Sequence, residues 1–402
     1  MATLPRRRFL HLALAAGAGL ATRLTFAQGG RGETRLVVVL LRGALDGLAA
    51  VPPYADPDYA RLRGEFALGA PGSAHAALPL DGFFGLHPAL AFLGRSYQAR
   101  ELTVLHALAT PYRERSHFDG QDVLENGSPR AHGLQSGWLN RALASLPGGG
   151  AERGVALGQN VPLVMRGPAA VTSWSASRMA ALEEETLQRV ADLYATDPLL
   201  SVRLAAALEA EALAGSAPAQ APAMGGAGDY GARYAQLARA AAGFLTQASG
   251  PRVAVFDTTG WDTHANEGGA EGQLAGRLRA LDDGLAALRE SLGATWAHTA
   301  VLLVTEFGRT AAVNGTRGTD HGTGAAAFLV GGAVAGGRVI ADWPGLAPRA
   351  LYEGRDLRAT LDLRSVLKGL LKDGLGVSAR DLDTGVFPDS SAARALPGLL
   401  RG

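Results

Sequence analysis

Four runs of β-branched and other apolar residues recur along the chain, and each one leads into a group of glycine, acidic or histidine residues. The runs are Arg35–Leu41, Leu102–Leu108, Arg252–Phe256 and Thr299–Thr305, with Phe328–Gly331 as a shorter candidate. A continuous apolar run is typical of a strand buried on both faces, as in parallel sheets. Because helical patterns lie between the runs, the sequence predicts an α/β fold with a mostly parallel central sheet and helices on both faces.

Apolar residues at helical spacing predict the helices of this fold. They cover Leu86–Arg100, Ser136–Leu146, Ser177–Ala212, Gly231–Ala248, Gly272–Leu292 and Leu361–Leu375. One segment differs in composition, because Gly215–Gly231 consists of Ala, Pro, Gly and Ser with almost no bulky residue. We therefore predict one α/β domain over residues 34–390, with a helical insertion and flexible linker at 177–248.

Composition restricts the chemistry that this chain can perform. The 402 residues include no cysteine, which excludes disulfides, thiolate zinc sites, iron–sulfur clusters and thiol nucleophiles. The lysines are Lys368 and Lys372 alone, so a lysine nucleophile is close to excluded. A formal net charge of +1 gives no overall field for nucleic acid, and we expect no such partner. The chemistry must therefore use oxygen and imidazole groups.

The first 27 residues have the pattern of an export signal. Three arginines at 6–8 precede a short apolar run at 9–21, and Thr25-Phe26-Ala27 forms a small-x-small cleavage site. Paired arginines followed by Phe-Leu are typical of a twin-arginine signal, and an ordinary secretory signal is the alternative. The apolar run is too short for a stable membrane span. We therefore expect a periplasmic or otherwise exported protein that engages the twin-arginine export machinery and keeps no membrane span after cleavage.

Ligands of open α/β sheets bind beyond the carboxyl ends of the strands, and polar residues gather there in this sequence. Asp46 follows the first strand beside glycine, where turn formation is the alternative role. Ser116 and His117 follow the second strand, at the start of a predicted helix that Ser116 alternatively only caps. Arg115 lies next to that helix N-terminus and would help to attract an anion.

Carboxylate and imidazole groups also follow the third and fourth strands. Asp262 and His264 are two residues apart, so in extended chain they face the same way and suit a metal ion. A surface turn is the alternative interpretation of this pair. Glu306 comes directly after the fourth strand, and Arg309 is either its salt-bridge partner or an oxyanion binder.

Asp320 and His321 form a last acidic and imidazole pair, flanked by glycines. Adjacent residues in extended chain point opposite ways, so either one supports the other or the pair serves two metals. His106 lies inside an apolar strand and is predicted to be a core histidine. Together the clusters predict one or two divalent ions (Zn, Mn, Ca or Mg). The candidate ligands are Asp46, Asp262, His264, Glu306, Asp320 and His321.

The motifs GALDGL, TPYRERSHFDGQD, GWDTH, TEFGRT, GTDHGTG and GGRV followed by DWPGL resemble a known family. It is the bacterial exported family catalogued as domain of unknown function 1501, and the likeness runs from about Arg35 to Pro388. That family is grouped with the alkaline-phosphatase/sulfatase-like superfamily. The resemblance implies an alkaline-phosphatase-like sheet with metals at the strand ends, and hydrolysis of phosphate or sulfate esters with one or two metals.

The resemblance also implies roles for individual residues. Asp46 matches the early metal-binding Asp of the superfamily, and His321 resembles its last metal-binding His. Ser116 falls near the nucleophile position, with His117 as a competing candidate ligand.

Three departures from the superfamily pattern bear on these roles. Asp262 and His264 resemble its Asp…His pair, although that spacing is usually longer. Glu306 stands where an Asp followed by His is usual, and Phe307 replaces the His, which leaves open whether one ion or two are bound. Sulfatase activity is disfavoured, because the chain has no cysteine and Ser116 is followed by His-Phe-Asp.

We therefore predict an exported metal-dependent hydrolase of a small anionic ester, with phosphate as the favoured class. Metal would polarise the ester and activate water or Ser116, and Arg115 or Arg309 would stabilise developing charge. The alternative is a superfamily member that has lost turnover and acts as a periplasmic binding or surface-assembly protein, as the Glu306-Phe307 change and the insertion suggest. An oxidoreductase ranks last, because no Gly-x-Gly-x-x-Gly follows a strand.

Overall fold

The computed structural model describes residues 34–147, 153–176, 184–214 and 229–402. The predicted signal at 1–27 lies outside the described residues, as do 177–183 and 215–228 of the predicted insertion. The described residues belong to one compact unit. Among the helices of these ranges, none has both the length and the hydropathy that a membrane span requires.

A nine-stranded sheet forms the centre of the described part of the fold, and a two-stranded hairpin lies apart from it. The strands are β1 (Arg35–Arg42), β2 (Leu78–Pro79), β3 (Gly85–Leu86), β4 (Leu102–Ala109), β5 (Gly154–Leu157), β6 (Thr172–Trp174), β7 (Val253–Thr259), β8 (Thr299–Val304), β9 (Ala325–Val330), β10 (Arg338–Ile340) and β11 (Leu361–Asp362). The hairpin consists of β2 and β3, and the strand order of the sheet is β10-β4-β9-β8-β1-β7-β5-β6, with β11 paired to β4.

Neighbouring strands of this sheet are parallel, except for the two pairs made by β9. Strand β9 runs antiparallel to both β4 and β8. The predicted mostly parallel sheet is therefore confirmed. Because β9 runs in the opposite direction, it begins at the edge where its parallel neighbours end. The residues before β9 thus lie at the same edge as the residues after β7 and β8.

Helices cover both faces of the sheet, as the sequence predicted. Val37 and Val39 of β1 pack in one apolar cluster, whereas Leu36 and Val38 pack in another on the opposite face. The first cluster takes residues from α3, α8 and α9, and the second from α4, α5 and α10. The helices are α1 (Gly47–Ala50), α2 (Tyr59–Arg63), α3 (Ala91–Gln98), α4 (His117–Asn126), α5 (Trp138–Ser145), α6 (Glu184–Tyr194), α7 (Pro198–Ala214), α8 (Asp229–Leu245), α9 (Gln273–Leu292), α10 (Leu363–Leu370) and α11 (Ala379–Asp381).

The region of the predicted insertion differs from its sequence-based description. The helix predicted over Ser177–Ala212 contains two separate helices in its described part, α6 and α7. Helix α6 ends at Tyr194, and Asp197 caps α7, since its Oδ1 accepts from Leu199 N and Leu200 N at 2.8 and 3.0 Å. Pro198 at the first position of α7 favours the same break. Helix α8 packs against α9, β5 and β7, and so belongs to the helical layer of the α/β domain.

Short strands account for most of the elements that the sequence analysis missed. Strands β5, β6 and β10 have three or four residues each and lack a long apolar run. Within β4, His106 is fully buried, and its Nε2 lies 3.1 Å from the carbonyl oxygen of Val51. The prediction that His106 is a core histidine is therefore confirmed.

Candidate metal centre

Three imidazoles and one carboxylate converge at the edge of the sheet where β7 and β8 end. His264 Nε2 lies 3.0 Å from both His321 Nε2 and Asp262 Oδ1. His321 Nε2 lies 3.2 Å from Asp262 Oδ1, and His117 Nε2 lies 3.4 Å from Asp262 Oδ2. We call these four residues the centre. They come from the start of α4, the loop after β7 and the loop before β9.

Three residues of the centre, His117, Asp262 and His321, have ligand atoms close enough together to hold a divalent metal ion. In a tetrahedral zinc site with bonds of about 2.0–2.1 Å, the ligand atoms lie about 3.3 Å apart. The contacts to Asp262 range from 3.0 to 3.4 Å, and ligand atoms of His117, Asp262 and His321 all lie within 4.8 Å of one another. His117 Nε2 is also buried without a hydrogen-bond partner. A buried polar atom left in this state needs a partner, and a metal ion would supply one.

Each imidazole of the centre is held from the outside through its Nδ1 atom. His117 Nδ1 lies 2.8 Å from Glu306 Oε1, and His264 Nδ1 lies 3.1 Å from Asp320 Oδ1. His321 Nδ1 lies 2.9 Å from the carbonyl oxygen of Arg115. A carbonyl or ionised carboxylate oxygen only accepts hydrogen bonds, so a proton on Nδ1 of each neutral ring satisfies these outer contacts. The lone pair of every Nε2 is then directed into the centre, which is the arrangement that metal-binding histidines require.

Two glycines allow the loops of the centre to approach one another. Gly43 has a φ of 117°, and a Cβ there would lie 2.8 Å from the backbone nitrogen of Asp262. At Gly318 a Cβ would lie 2.3 Å from the backbone carbon of His264. Any larger residue would separate these loops.

The electrostatic environment differs among the residues of the centre. The hydrogen bond that His117 donates to Glu306 raises the pKa of His117, whereas burial lowers the pKa of His321. Burial alone would raise the pKa of Asp262, but the hydrogen bond and charge of Arg309 outweigh it and hold that pKa below its usual value. Burial alone would also raise the pKa of Glu306. The hydrogen bond with His117 is the leading cause that opposes burial and keeps the pKa of Glu306 low.

The two predicted catalytic arginines both have protein partners. Arg309 is buried, and its Nη1 lies 2.5 Å from Asp262 Oδ1. Of the two roles considered for Arg309, the structure shows a salt bridge, but with Asp262 in place of Glu306. Arg115 places its Nε 2.8 Å from Asp356 Oδ2 and its Nη2 2.5 Å from Glu353.

Asp46 lies outside these contacts, although the sequence analysis grouped it with the ligands. Its Oδ1 accepts from Leu48 N and Ala49 N at 2.9 and 3.0 Å, which caps α1. Both of its oxygens also bind the guanidinium of Arg63. The turn-forming alternative for Asp46 therefore describes its observed contacts.

Ser116 occupies the N-cap position of α4, but its side chain makes no capping hydrogen bond. The residues on either side of it both touch the centre, since the Arg115 carbonyl contacts His321 and the His117 ring belongs to the centre. Ser116 therefore lies in the chain between two residues that touch the centre, and its side chain does not make the capping contact that was its alternative role.

The family model described as "Protein of unknown function (DUF1501)" matches residues 97–382, which is more than half of the chain. The chain belongs to this family. The family resemblance that rested on the sequence motifs is therefore confirmed. None of the curated proteins matches this family member.

Several solved structures are similar in fold to this family member at low identity. Ps i-CgsB, solved in complex with k-i-k-neocarrahexaose, is 11% identical with a TM-score of 0.40, over 90% of this chain and 77% of that chain. The lipoteichoic acid synthase LtaP from Listeria monocytogenes is 8% identical with a TM-score of 0.39, over 94% and 81%. PsFucS1 sulfatase from Pseudoalteromonas sp. is 13% identical with a TM-score of 0.40, over 100% and 78%.

Several residues that support the centre were missed by sequence reasoning. Gln121 donates to Glu306 Oε1 at 3.0 Å, and Asn314 donates to Asp320 Oδ1 at 3.0 Å. Gln121 lies four residues after His117 and therefore on the same face of α4, which is a signal that the sequence contains. Asn314 has no comparable signal, because its position depends on the loop that leads to β9.

Proposed function

We propose that this chain is an exported metal-dependent hydrolase of small anionic esters, with phosphate esters as its substrate class. The observation that carries the proposal is the convergence of three Nε2 atoms on Asp262. A divalent ion bound there would supply a Lewis acid that polarises an ester oxygen and lowers the pKa of a hydroxyl or water. The export part of the proposal is supported by the signal pattern in residues 1–27.

The chain itself would bind and orient the ester beside the centre. The first backbone amides of α4 lack intrahelical partners, and the positive end of the helix dipole favours a negatively charged group there. We assign the attack on the phosphorus to the Ser116 hydroxyl at this helix end, and an attacking water is the alternative nucleophile. Arg309 would keep Asp262 ionised, and so support the centre without touching the ester.

The surroundings of the centre favour one ion over two. Phe307 stacks on His117 with ring centroids 5.0 Å apart, and it lies 5.4 Å from the ring of His321. Glu306 Oε1 already contacts Gly43 N, Gln121 Nε2 and the ring of His117. We therefore assign Glu306 a positioning role. Three imidazoles and one carboxylate form a donor set that favours zinc among the candidate ions.

Metal content and turnover measured on the same preparation test this proposal. We expect about one ion per chain, together with hydrolysis of 4-nitrophenyl phosphate or bis(4-nitrophenyl) phosphate that a chelator abolishes and added metal restores. His321→Ala should lose both metal and turnover. His298→Ala is the matched control, because His298 is exposed and lies outside the centre. A protein without stoichiometric metal and without metal-dependent turnover would contradict the proposal.

The second candidate function is a periplasmic binding or surface-assembly protein that has lost turnover. Exposed apolar side chains on α6 and α7 favour it, since Leu193, Leu199 and Val202 are 73%, 65% and 66% exposed. This function predicts that His321→Ala keeps its binding to a periplasmic partner, and that the unmodified protein shows no turnover. Loss of turnover in His321→Ala supports the hydrolase instead.

Export can be tested apart from the activity. Replacing Arg6 and Arg7 by lysine should stop export of the chain, because the twin-arginine machinery requires the paired arginines. The measurement is the fraction of protein recovered from the periplasm. Undiminished export of the lysine variant would show that the chain uses another route.

A further inference from the structure

A cavity of about 490 Å³ lies at the same edge of the sheet as the centre. It is lined by residues at or near the carboxyl ends of three parallel strands, namely Arg42 of β1, Leu157 of β5 and Asp257 of β7, and by Phe118 and Gln121 of α4. Its volume falls within the range of small-molecule sites, and its position is where open α/β sheets bind ligands. None of the roles proposed above uses this cavity.

Gln121 connects the cavity to the centre. Its Oε1 accepts from Arg42 Nη1 at 2.9 Å, and its Nε2 donates to Glu306 Oε1 at 3.0 Å. Glu306 in turn contacts His117 Nδ1 at 2.8 Å. One amide side chain and one carboxylate therefore separate the cavity from a ring of the centre.

The charges that line the cavity balance. Three arginines face three carboxylates across the lining, and they are Arg42, Arg166, Arg233, Asp122, Glu125 and Asp257. Arg42 lies between two of the acids, with Nη1 2.7 Å from Glu125 Oε1 and Nε 3.2 Å from Asp257 Oδ2. An anion would therefore gain little net attraction here, whereas a neutral group that both donates and accepts hydrogen bonds finds partners of each kind.

Further lining residues narrow the chemistry of the occupant. Gln159 and Asn160 are exposed amides in the loop after β5, and each offers one acceptor and two donors. The Phe118 ring is 87% exposed, which is unusual for a large aromatic side chain and offers a flat apolar face. Adjacent hydroxyl groups pair with planar amide, carboxylate and guanidinium groups, and the C–H face of a sugar or polyol packs on an aromatic ring.

We infer that this cavity binds a neutral polyhydroxylated group, either a glycosyl unit or a small polyol. One part of this inference rests on the proposed function, namely that the neutral group is the alcohol part of the ester. Binding of the neutral group itself requires no metal and no turnover, so the two proposals can fail separately.

Saturation-transfer difference NMR with uncharged probes tests the inference. The probes are glycerol, myo-inositol and the methyl glycosides of glucose, galactose, mannose and N-acetylglucosamine. We expect saturation transfer to at least one of them, both in the unmodified protein and in His321→Ala. The double variant Phe118→Ala with Asn160→Ala should weaken that binding at least tenfold, and it should still fold because both side chains are exposed. Glycosides and free polyols form separate arms, so the result identifies the source of the hydroxyl groups.

A matched control and the contrary outcomes complete the test. Gln188→Ala removes an exposed amide from α6, outside the cavity, and should leave binding unchanged. The inference is overturned if no probe binds, or if binding persists undiminished in the double variant. Hydrolysis of 4-nitrophenyl phosphate measured in parallel shows whether the proposed function holds, independently of either result.

Discussion

Two aspartates of this fold follow strands at the same edge of the sheet, and each binds a buried arginine. Asp46 follows β1 and pairs with Arg63, whereas Asp262 follows β7 and pairs with Arg309. The Asp46 side chain is 1% exposed and the Asp262 side chain is 39% exposed. The two aspartates share their residue type, their position after a strand and an arginine partner. The Asp46–Arg63 pair nevertheless stabilises the fold, whereas Asp262 belongs to the centre.

The contacts of the second oxygen account for this difference. Both oxygens of Asp46 bind Arg63, and Oδ1 also accepts from two backbone amides. Arg309 contacts only Oδ1 of Asp262, and Oδ2 faces the unpartnered Nε2 of His117. An aspartate after a strand is therefore available to a ligand only where the protein leaves one of its oxygens unpaired.

The largest expected effect is on the metal affinity of Asp262→Asn. The substitution removes the charged ligand but keeps the shape of the side chain, so affinity should fall by roughly a thousandfold or more, about 4 kcal/mol. A chelator competition titration measures this, and circular dichroism of the metal-free variant checks that it is folded, because Arg309 loses its carboxylate partner. An asparagine variant that binds metal as tightly as the parent would break the contrast with Asp46.

At the Asp46–Arg63 pair we expect a loss of fold stability instead of a loss of metal affinity. Arg63→Met leaves the Asp46 carboxylate buried without its cation, which should lower the free energy of unfolding by about 3 kcal/mol. Urea denaturation provides the measurement. Arg61→Met is the control on the same helix, because Arg61 forms an exposed ion pair with Asp58 that is worth less than about 1 kcal/mol. Equal losses in the two variants would mean that burial does not distinguish these pairs.

A smaller effect is expected from Glu306→Gln, which weakens the hold on His117 Nδ1 while keeping the fold. Outer residues of this kind typically change metal affinity by about 10–100-fold. The same chelator competition measures it, with Asp320→Asn as a comparison, because Asp320 holds His264 from an exposed position. An affinity unchanged by Glu306→Gln would remove Glu306 from the positioning role.

The smallest effect, taken per pH unit, is on the pH dependence of stability in the Asp46–Arg63 region. Burial, and then the negative charge of Asp46, raises the pKa of Glu267 from 4.5 to about 8. Between these two pH values the folded state therefore keeps a proton on Glu267 that the unfolded state has lost. The stability that this proton contributes is fully present below pH 4.5 and declines as the pH rises to about 8. The slope is at most about 1.4 kcal/mol per pH unit. Glu267→Gln should flatten this decline in urea denaturation series, and a parent without any decline would contradict it.

The long strands and the four residues of the centre could be predicted from sequence because their signals are local. Asp262 and His264 follow an apolar run, and His321 lies between glycines. The partners of Asp46 and Asp262 could not be predicted in this way, because the arginines are 17 and 47 residues away in the chain. The contact of His117 with Glu306 spans 189 residues and depends on the order of the strands.

The direction of β9 also escaped prediction, because an apolar run has the same composition in either direction. Phe328 pairs antiparallel with Val104 and Leu303, which the run itself does not reveal. Both of these loops of the centre, the one after β7 and the one before β9, were found by sequence. Only the antiparallel direction of β9 explains why the second loop precedes its strand.

The reversed strand also sets how far the chain can tolerate changes in length. Only Gly322, Thr323 and Gly324 separate His321 from β9. The backbone of His321 also forms an antiparallel β-bridge with Arg309. A single inserted residue here would either pull His321 out of the centre or turn every following side chain of β9 to the opposite face. The loop between β7 and α9 has thirteen residues and could absorb the same insertion. Loop lengths in relatives should therefore vary after β7 and remain fixed before β9.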